Sequence, residues 1–457
     1  MTNSPHLPTT YGAGVRTAPS TTLTASERDL LQSDTPGYGH RSFIEVAFNL
    51  VNATLGAGII GLAYAVLSCG VVLGTIVALV VAFMTYISLY MMVLVGKKNH
   101  LYQVAQLAQF AVGKHGFHLY NFFVFFQLLG VTTSYFILIG DSIPVLFEQY
   151  FPDIPLLANR AFVISVVSWV FLVTNSLQIF PLHLSRSIGT IANWSIVSVL
   201  LLPVILLTVI IRCPAYASQH SSPVTVVGPD VFGSLGIMAF AFGCAQVAFS
   251  NFLSLKDQSA KSWSKTTATA TSLSLVLALG FGYIGYFTFG VDVQANMFLN
   301  FSPTDPIINI GRFALAISLV LTIPTAFYPA REALQMMLGF DSRRQRPTNL
   351  QHLILTFSLF AVMVALGMNI RSLGKVYGIV GGVTATMLNY MMPGCAYLRA
   401  FAFKRWTKAD SEESTQALLQ SDEDEAGHSL FLEIVAIGLL IVGAFVMVVS
   451  VYCVVRN

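Results

Sequence analysis

Eleven runs of about 20 predominantly apolar residues constrain this chain more than any other feature. They fall at about 43–67, 70–95, 119–147, 161–180, 187–211, 231–255, 267–289, 309–330, 350–368, 374–398 and 431–453. A helix of that length crosses the hydrocarbon layer with every backbone group bonded inside the segment, and lipid tolerates little else. Hydrophobic residues make up 55% of the chain and charged residues 10%, against about 25% charged in a soluble domain. The reading is an all-α polytopic membrane protein with about 11 transmembrane helices, and a soluble enzyme is excluded. Residues 1–40 are polar and rich in Ser, Thr and Pro, so no cleavable signal is read there and a disordered tail is expected.

Lys and Arg in the connecting loops set the orientation. With a cytosolic amino terminus, 18 of the 24 Lys and Arg residues fall on the cytosolic side. They include Lys97, Lys98, Lys114, Lys256, Lys261, Lys265, Arg331, Arg343, Arg344, Arg346, Arg399, Lys404, Arg405 and Lys408. An odd number of spans then puts the carboxyl terminus outside the cell or in a lumen. The expected organisation is a cytosolic tail at 1–40, a ten-helix core at 41–403, a polar cytosolic linker at 404–429, and an eleventh helix with a non-cytosolic end at 430–457. Asn300-Phe301-Ser302 lies in a loop on the non-cytosolic side, which makes Asn300 the candidate glycosylation site. Residues 101–112 place Leu101, Val104, Ala105, Ala108, Ala111 and Val112 on one face, as in a short interfacial helix. The pentapeptide LLQSD occurs twice, at 30–34 and 418–422, and is read as coincidence. The five cysteines have no metal-ligand spacing, so no cofactor or metal centre is expected. The net charge of +3 belongs to the inner loops and points to no nucleic acid partner.

The first apolar run contains NATLGAGIIGLAY (52–64), with Gly56, Gly58 and Gly61 where a span should be unbroken. Two readings compete. Glycines let neighbouring helices approach closely. They also interrupt the helix, which lipid permits only where protein or a water-filled cavity satisfies the freed backbone. The sixth run repeats the pattern with Gly233, Gly236 and Gly243. Two interrupted spans five helices apart are the mark of 5+5 inverted repeats, with broken helices 1 and 6 meeting at the binding site. The eleventh helix is extra.

The middle of each span lacks Asp, Glu, His, Lys and Arg. Buried carboxylates normally mark proton relays, so backbone dipoles and neutral oxygens remain to do the work. A zwitterionic amino acid suits them. Its carboxylate would meet the amides of Gly56, Ala57 and Gly58 at the start of a half-helix, where the dipole favours an anion. Its ammonium would meet carbonyls of the broken sixth helix around Phe242, Gly243 and Gln246.

With these elements in place, the chain resembles the amino acid/auxin permease family, and especially its sodium-coupled neutral amino acid transporter and vacuolar amino acid transporter branches. FNLVNATLGAGIIGLAYAV (48–66) is similar to that family's first helix, and Thr133-Ser134-Tyr135 to its third. PLHLSRSI (181–188) is similar to the loop before the fifth, GIMAFAFGCAQVAFSNFLSLKD (236–257) to the sixth, and LTIPTAFYPAREAL (321–334) to the eighth. Pro393, Gly394 and Tyr397 resemble the tenth. The resemblance covers about residues 42–455. It implies a carrier of small neutral amino acids in a plasma membrane or a vacuolar or lysosomal membrane, with Asn52 and Thr322 as ligands of a coupling sodium ion. A proton-linked exchanger and an amino acid sensor of the same fold are the alternatives it leaves open. Partners of the cytosolic tails are left open too. Two departures bear on the pocket. Where the family often carries His-His-Asn after a Cys, this chain has Ala245, Gln246 and Val247, and Ala57 stands where Ser is frequent.

Overall fold

The computed structural model describes residues 36–174, 189–340, 347–402 and 429–456. The regular elements among them are helical, with one isolated backbone bridge between Arg41 and Leu255. Helices occupy all eleven apolar runs. The first run holds α1 (Phe43–Leu55), a 3-10 turn (Gly56–Gly61) and α2 (Leu62–Cys69). The second is α3 (Val71–Asn99), followed by the short α4 (Val104–Val112). The third to fifth are α5 (Lys114–Tyr150), α6 (Arg160–Thr174) and α7 (Gly189–Ala217). The sixth is split into α8 (Val231–Ala241) and α9 (Ala248–Ser254). Then come α10 (Ala260–Phe289), α11 (Pro306–Met337) and α12 (Asn349–Asn369). The tenth run holds α13 (Leu373–Ile379) and α14 (Met392–Tyr397), joined and followed by wide π turns at Val380–Ala385, Met387–Met391 and Leu398–Ala402. The last is α15 (Leu430–Arg456).

Among the described residues, eight helices are long and apolar enough to cross a membrane, and the bent first passage makes nine. The fourth passage falls short because only 15 of its residues are described, and the tenth because its π turns interrupt it. The chain is therefore a multi-pass membrane protein with its broken helices where glycine placed them. Residues 1–35, PLHLSRSI, both LLQSD copies and most of the 404–429 linker lie outside the described residues.

Caps extend three helices beyond the apolar windows. Ser259 caps α10, which draws Lys261 and Lys265 into its first turns rather than leaving them in a loop, and the Lys265 ammonium sits 3.9 Å over the Phe43 ring. Asp305 accepts from the amides of Ile307 and Ile308 and starts α11 at Pro306, three residues ahead of the window. Gly113, with φ +82°, begins α5 ahead of the window at Lys114. The interfacial helix starts at Val104 and turns Leu107, not Val112, inward with Val104 and Ala108; Leu101 precedes it.

Packing follows the side chains. α11 lies against α5 and α7, and α10 against α1 and α3. α8 packs on α2 and on the first π turn of the tenth passage, while α15 covers α8 and α14 from outside. Ile76, Leu79, Val80 and Phe83 of α3 and Ile434, Ile441, Phe445 and Val448 of α15 remain exposed, as lipid-facing rows should. The wide turns of the tenth passage bring backbone close to both neighbours. A Cβ on Gly381 would lie 1.7 Å from the Gly236 carbonyl oxygen, and one on Gly382 would lie 2.0 Å from Ser450 Oγ.

The face that carries residues 290–308 is locked by ionised groups. Arg312 is only 2% exposed and donates to the carbonyls of Phe298, Phe301 and Ser302 and to Asn309 Oδ1. Asp305 accepts from Arg212 at 2.6 Å and from the Tyr216 hydroxyl at 3.1 Å. Burial works to raise the Asp305 carboxyl, but Arg212, the Ile308 amide and Tyr216 outweigh it and hold it below the usual carboxylate range. Asp141 of α5 binds both Arg160 of α6 and the Asn296 amide of the loop.

Candidate functional site

The first break is centred on Gly56. Its φ of +35° with ψ −138° ends α1 in a conformation that side chains rarely adopt, and a Cβ there would meet nothing within 4 Å. Gly58 and Gly61 serve a different purpose. A Cβ on Gly58 would stand 3.1 Å from the Ala241 Cα, and one on Gly61 would stand 3.0 Å from the Tyr377 ring. The two competing readings of the motif are thus divided between its residues: Gly56 makes the break, while Gly58 and Gly61 make close contacts. Among the described residues, no side chain hydrogen-bonds to the backbone of Gly56, Ala57 or Gly58.

The sixth passage opens between Ala241 and Ala245, with Phe242 and Gly243 outside any helix and a short 3-10 turn at Ala245–Val247. Here the freed backbone is already occupied. The Ala245 amide donates to Asn389 Oδ1 at 2.8 Å, and Asn389 Nδ2 returns to the Ala385 carbonyl. The Phe242 carbonyl accepts from Thr85 at 3.5 Å, and Thr85 also meets the Tyr390 hydroxyl at 3.3 Å. Ser88 donates to the Asn389 carbonyl. A Cβ on Gly243 would lie 2.8 Å from Asn389 Nδ2, so glycine is needed for that amide to approach. Gln246 Nε2 is buried and has no hydrogen-bond partner, which leaves one donor beside the break uncommitted.

The two breaks meet. Besides the contact of Gly58 with Ala241, Cys244 lies beside Thr54, whose hydroxyl donates to the Leu50 carbonyl. Toward the Lys97 end, Asn49 of α1 donates to Asn251 of α9 at 2.7 Å. The Arg41 and Leu255 strands bridge there, with Arg41 N–H bonding the Ser254 carbonyl at 2.9 Å and Lys256 N–H bonding the Arg41 carbonyl at 2.9 Å. Toward the other end, Tyr377 is fully buried, stacks on Phe240 with ring centroids 4.6 Å apart, and hydrogen-bonds Ser134 of α5. This aromatic pair roofs the junction. The polar groups that meet below it, Thr54, Thr85, Cys244, Gln246, Asn389 and Tyr390, carry no formal charge at neutral pH.

The structure brings Gly58 against Ala241, beside the break at Phe242 and Gly243, with Gly56 and Ala57 in the same turn as Gly58 and Gln246 in the 3-10 turn that follows the sixth break. The other candidates are placed differently. The Thr322 hydroxyl donates to the Ser318 carbonyl at 2.7 Å and pairs with Ser198 of α7 at 2.8 Å. The Asn52 carbonyl accepts the Gly56 amide, while its half-buried side chain has no hydrogen-bond partner among the described residues. Asn300 spends its amide on the loop: Nδ2 donates to the Asp292 carbonyl at 2.8 Å and Oδ1 accepts from Gln294 N–H at 2.9 Å. Asn389, Thr85, Tyr390, Asn49 and Tyr377 were not singled out in the sequence. Their signal was a polar residue inside an apolar run, which for Asn389 sits between Gly381-Gly382 and Pro393.

Comparison with known proteins gives a consistent picture. The profile of the family described as transmembrane amino acid transporter protein matches residues 39–455. A Danio rerio protein named "Putative sodium-coupled neutral amino acid transporter 11" is 26% identical over 394 residues, covering 84% of this chain and 85% of that one. The Saccharomyces cerevisiae vacuolar amino acid transporter 2 is 26% identical over 374 residues, covering 77% and 75%. Among solved structures, a mutant of the Eremococcus coleocola manganese transporter aligns over 95% of this chain and 99% of its own, with 13% identity and a TM-score of 0.44, too remote to add to the fold assignment. These relatives are named as transporters, not enzymes. With its profile match running almost end to end through both broken passages, the chain belongs to the transmembrane amino acid transporter protein family.

Proposed function

We propose that the chain is a secondary active transporter of neutral amino acids that works by alternating access, with sodium as the favoured coupling ion. The carrying observation is that two interrupted helices meet at a junction lined by uncharged polar groups. An amino acid there has backbone dipoles to neutralise its two charges, as in transporters built from discontinuous helices. Its carboxylate is assigned to the backbone of Gly56, Ala57 and Gly58, where no side chain among the described residues competes and the Gly56 amide has to leave the Asn52 carbonyl. Gln246, with its uncommitted Nε2, is a second donor for that carboxylate. Carbonyls near Phe242 and Gly243 receive the ammonium.

The relatives named as sodium-coupled support the choice of sodium, and Asn52 and Thr322 are its proposed ligands. The relative named as vacuolar keeps proton-linked exchange in a vacuolar or lysosomal membrane as the second reading. The amino terminus is proposed to be cytosolic, from the loop charges, and Asn300 is retained as a glycosylation candidate. Glycosylation of Asn300 would have to displace its bond to the Asp292 carbonyl. The test is uptake of radiolabelled L-alanine and L-glutamine by proteoliposomes holding the full chain, under an imposed sodium or proton gradient. Uptake driven by sodium and weakened about tenfold by Asn52→Ala, a loss of roughly 1.4 kcal/mol of ion binding, is expected. Uptake that responds only to a proton gradient, or is unchanged in Asn52→Ala, sinks the sodium assignment. No uptake of either amino acid under any gradient sinks the transport reading.

A further inference from the structure

We propose that the cavity on the 290–308 face is a vestibule site that holds a zwitterionic amino acid between Asp230 and Lys375, before it passes the Phe240–Tyr377 roof. The proposal rests on the reading of the chain as an amino acid transporter and adds a second place for the same class of ligand. The cavity has a volume of about 390 Å³ and includes Tyr64, Asp230, Gln294, Ser372, Lys375 and Ser450 in its wall. That volume is within the range of small-molecule sites, about 300–1,000 Å³. Its place in the fold is specific. Tyr64 is in the first turn of α2, Asp230 caps the start of the sixth passage, Lys375 is in the first turn of α13, and Gly378, one residue beyond the roof's Tyr377, also lines it.

The chemistry of the wall fits both charges of a free amino acid. Asp230 caps α8 with one oxygen, Oδ1 to the Gly233 amide at 2.9 Å, and a carboxylate has further lone pairs to accept an ammonium. Lys375 presents the opposite sign to the ligand carboxylate. Ser450, only 3% exposed, closes the α15 side of the wall. The contrast with the molecule's apolar cavity is instructive. That one, about 120 Å³ between Ile76, Val80, Leu235, Val442 and Val446, carries no ionised side chain in its wall and offers a zwitterion nothing. A ligand in the vestibule would lie beside Gly378 and Ile237, near in sequence to the stacked Tyr377 and Phe240.

Cys453 lines the same cavity and gives a readout independent of transport. The full chain in lipid nanodiscs is treated with N-ethylmaleimide, and modification of Cys453 is followed by mass spectrometry. L-alanine is expected to slow the reaction about fivefold at a concentration some four times its dissociation constant, whereas methylamine and acetate at equal concentration are not. Protection should disappear in Asp230→Asn, which keeps a helix cap while removing the charge, and in Lys375→Ala. Unchanged labelling in the presence of L-alanine overturns the proposal, as does protection that persists in both variants. Protection in a chain that takes up no L-alanine supports the vestibule and removes the transport reading. Uptake without protection does the reverse.

Discussion

The two broken passages are built on the same glycine pattern and end in opposite states. In the first, Gly56 turns the backbone out of the helix while its amide bonds the Asn52 carbonyl, and among the described residues no side chain hydrogen-bonds to the backbone of residues 56–58. In the sixth, Asn389 holds the Ala245 amide and Thr85 reaches the Phe242 carbonyl. The physical constraint is common to both, because unbonded backbone inside a membrane must find partners. The sixth passage finds them in the protein, through a tenth passage whose π turns deliver Asn389. The first meets the requirement within its own stretch of chain, with the Gly56 amide on the Asn52 carbonyl and a 3-10 turn over Gly56–Gly61, and this side-chain-free turn is where substrate is proposed to bind. On the function proposed above, a glycine-interrupted span binds substrate where the surrounding side chains leave its backbone unfilled.

The comparison can be broken most decisively at Gly56. Gly56→Val places a β-branched residue at φ +35°, a strain of roughly 1–3 kcal/mol, and replaces the proposed cradle by a distorted helix. L-alanine uptake by proteoliposomes is expected to fall about a hundredfold or more, by analogy with misplaced binding groups. Near-normal uptake would show that the first break is not the site. Asn389→Ala is expected next in size. It strands the buried Ala245 amide, at about 1–3 kcal/mol, so thermal stability in detergent should drop by several degrees and the maximal rate should fall more than the apparent affinity. An affinity loss without a stability loss would mean that Asn389 touches substrate, and the contrast between the breaks would fail.

Thr85→Val sharpens the contrast further. Its bond to the Phe242 carbonyl is 3.5 Å long, at the edge of hydrogen-bond range, so uptake should change by about twofold or less. A tenfold loss would make Thr85 part of the site. The smallest effect is expected far from both breaks, at Asp305. Because its carboxyl is held below the ordinary value of about 3.9, the stability it lends the 290–308 face is complete above that value and is lost as pH falls through the lower, folded one. Hydrogen exchange of residues 296–304 should therefore stay flat from neutral pH to about pH 4 and rise below it. Asp305→Asn should remove that acid step.

Much of this was legible in the sequence. The eleven apolar runs gave the fold class, since only a helix satisfies its own backbone in lipid, and Gly56 and Gly243 marked both interruptions. Helix ends were not legible from apolarity, because Ser259 and Asp305 cap α10 and α11 beyond the windows, and the first of these carries Lys261 and Lys265 into a helix. Nor was the division of labour in GAGIIG, since break and close contact require the same residue. Asn389 escaped notice because its role depends on the winding of the tenth passage, and a local hydropathy pattern does not report π turns. The pairing of Thr322 with Ser198 of α7 likewise depends on how two distant passages pack.

The central claim is that substrate occupies the backbone at Gly56–Gly58 while the sixth break serves as a fixed prop. Amide hydrogen exchange of the full chain in nanodiscs, with and without saturating L-alanine, tests it most directly. Slowed exchange at residues 56–61 with little change at 245–247 is the predicted result. Protection confined to 245–247, or none at 56–61 in a chain that transports L-alanine, would contradict it.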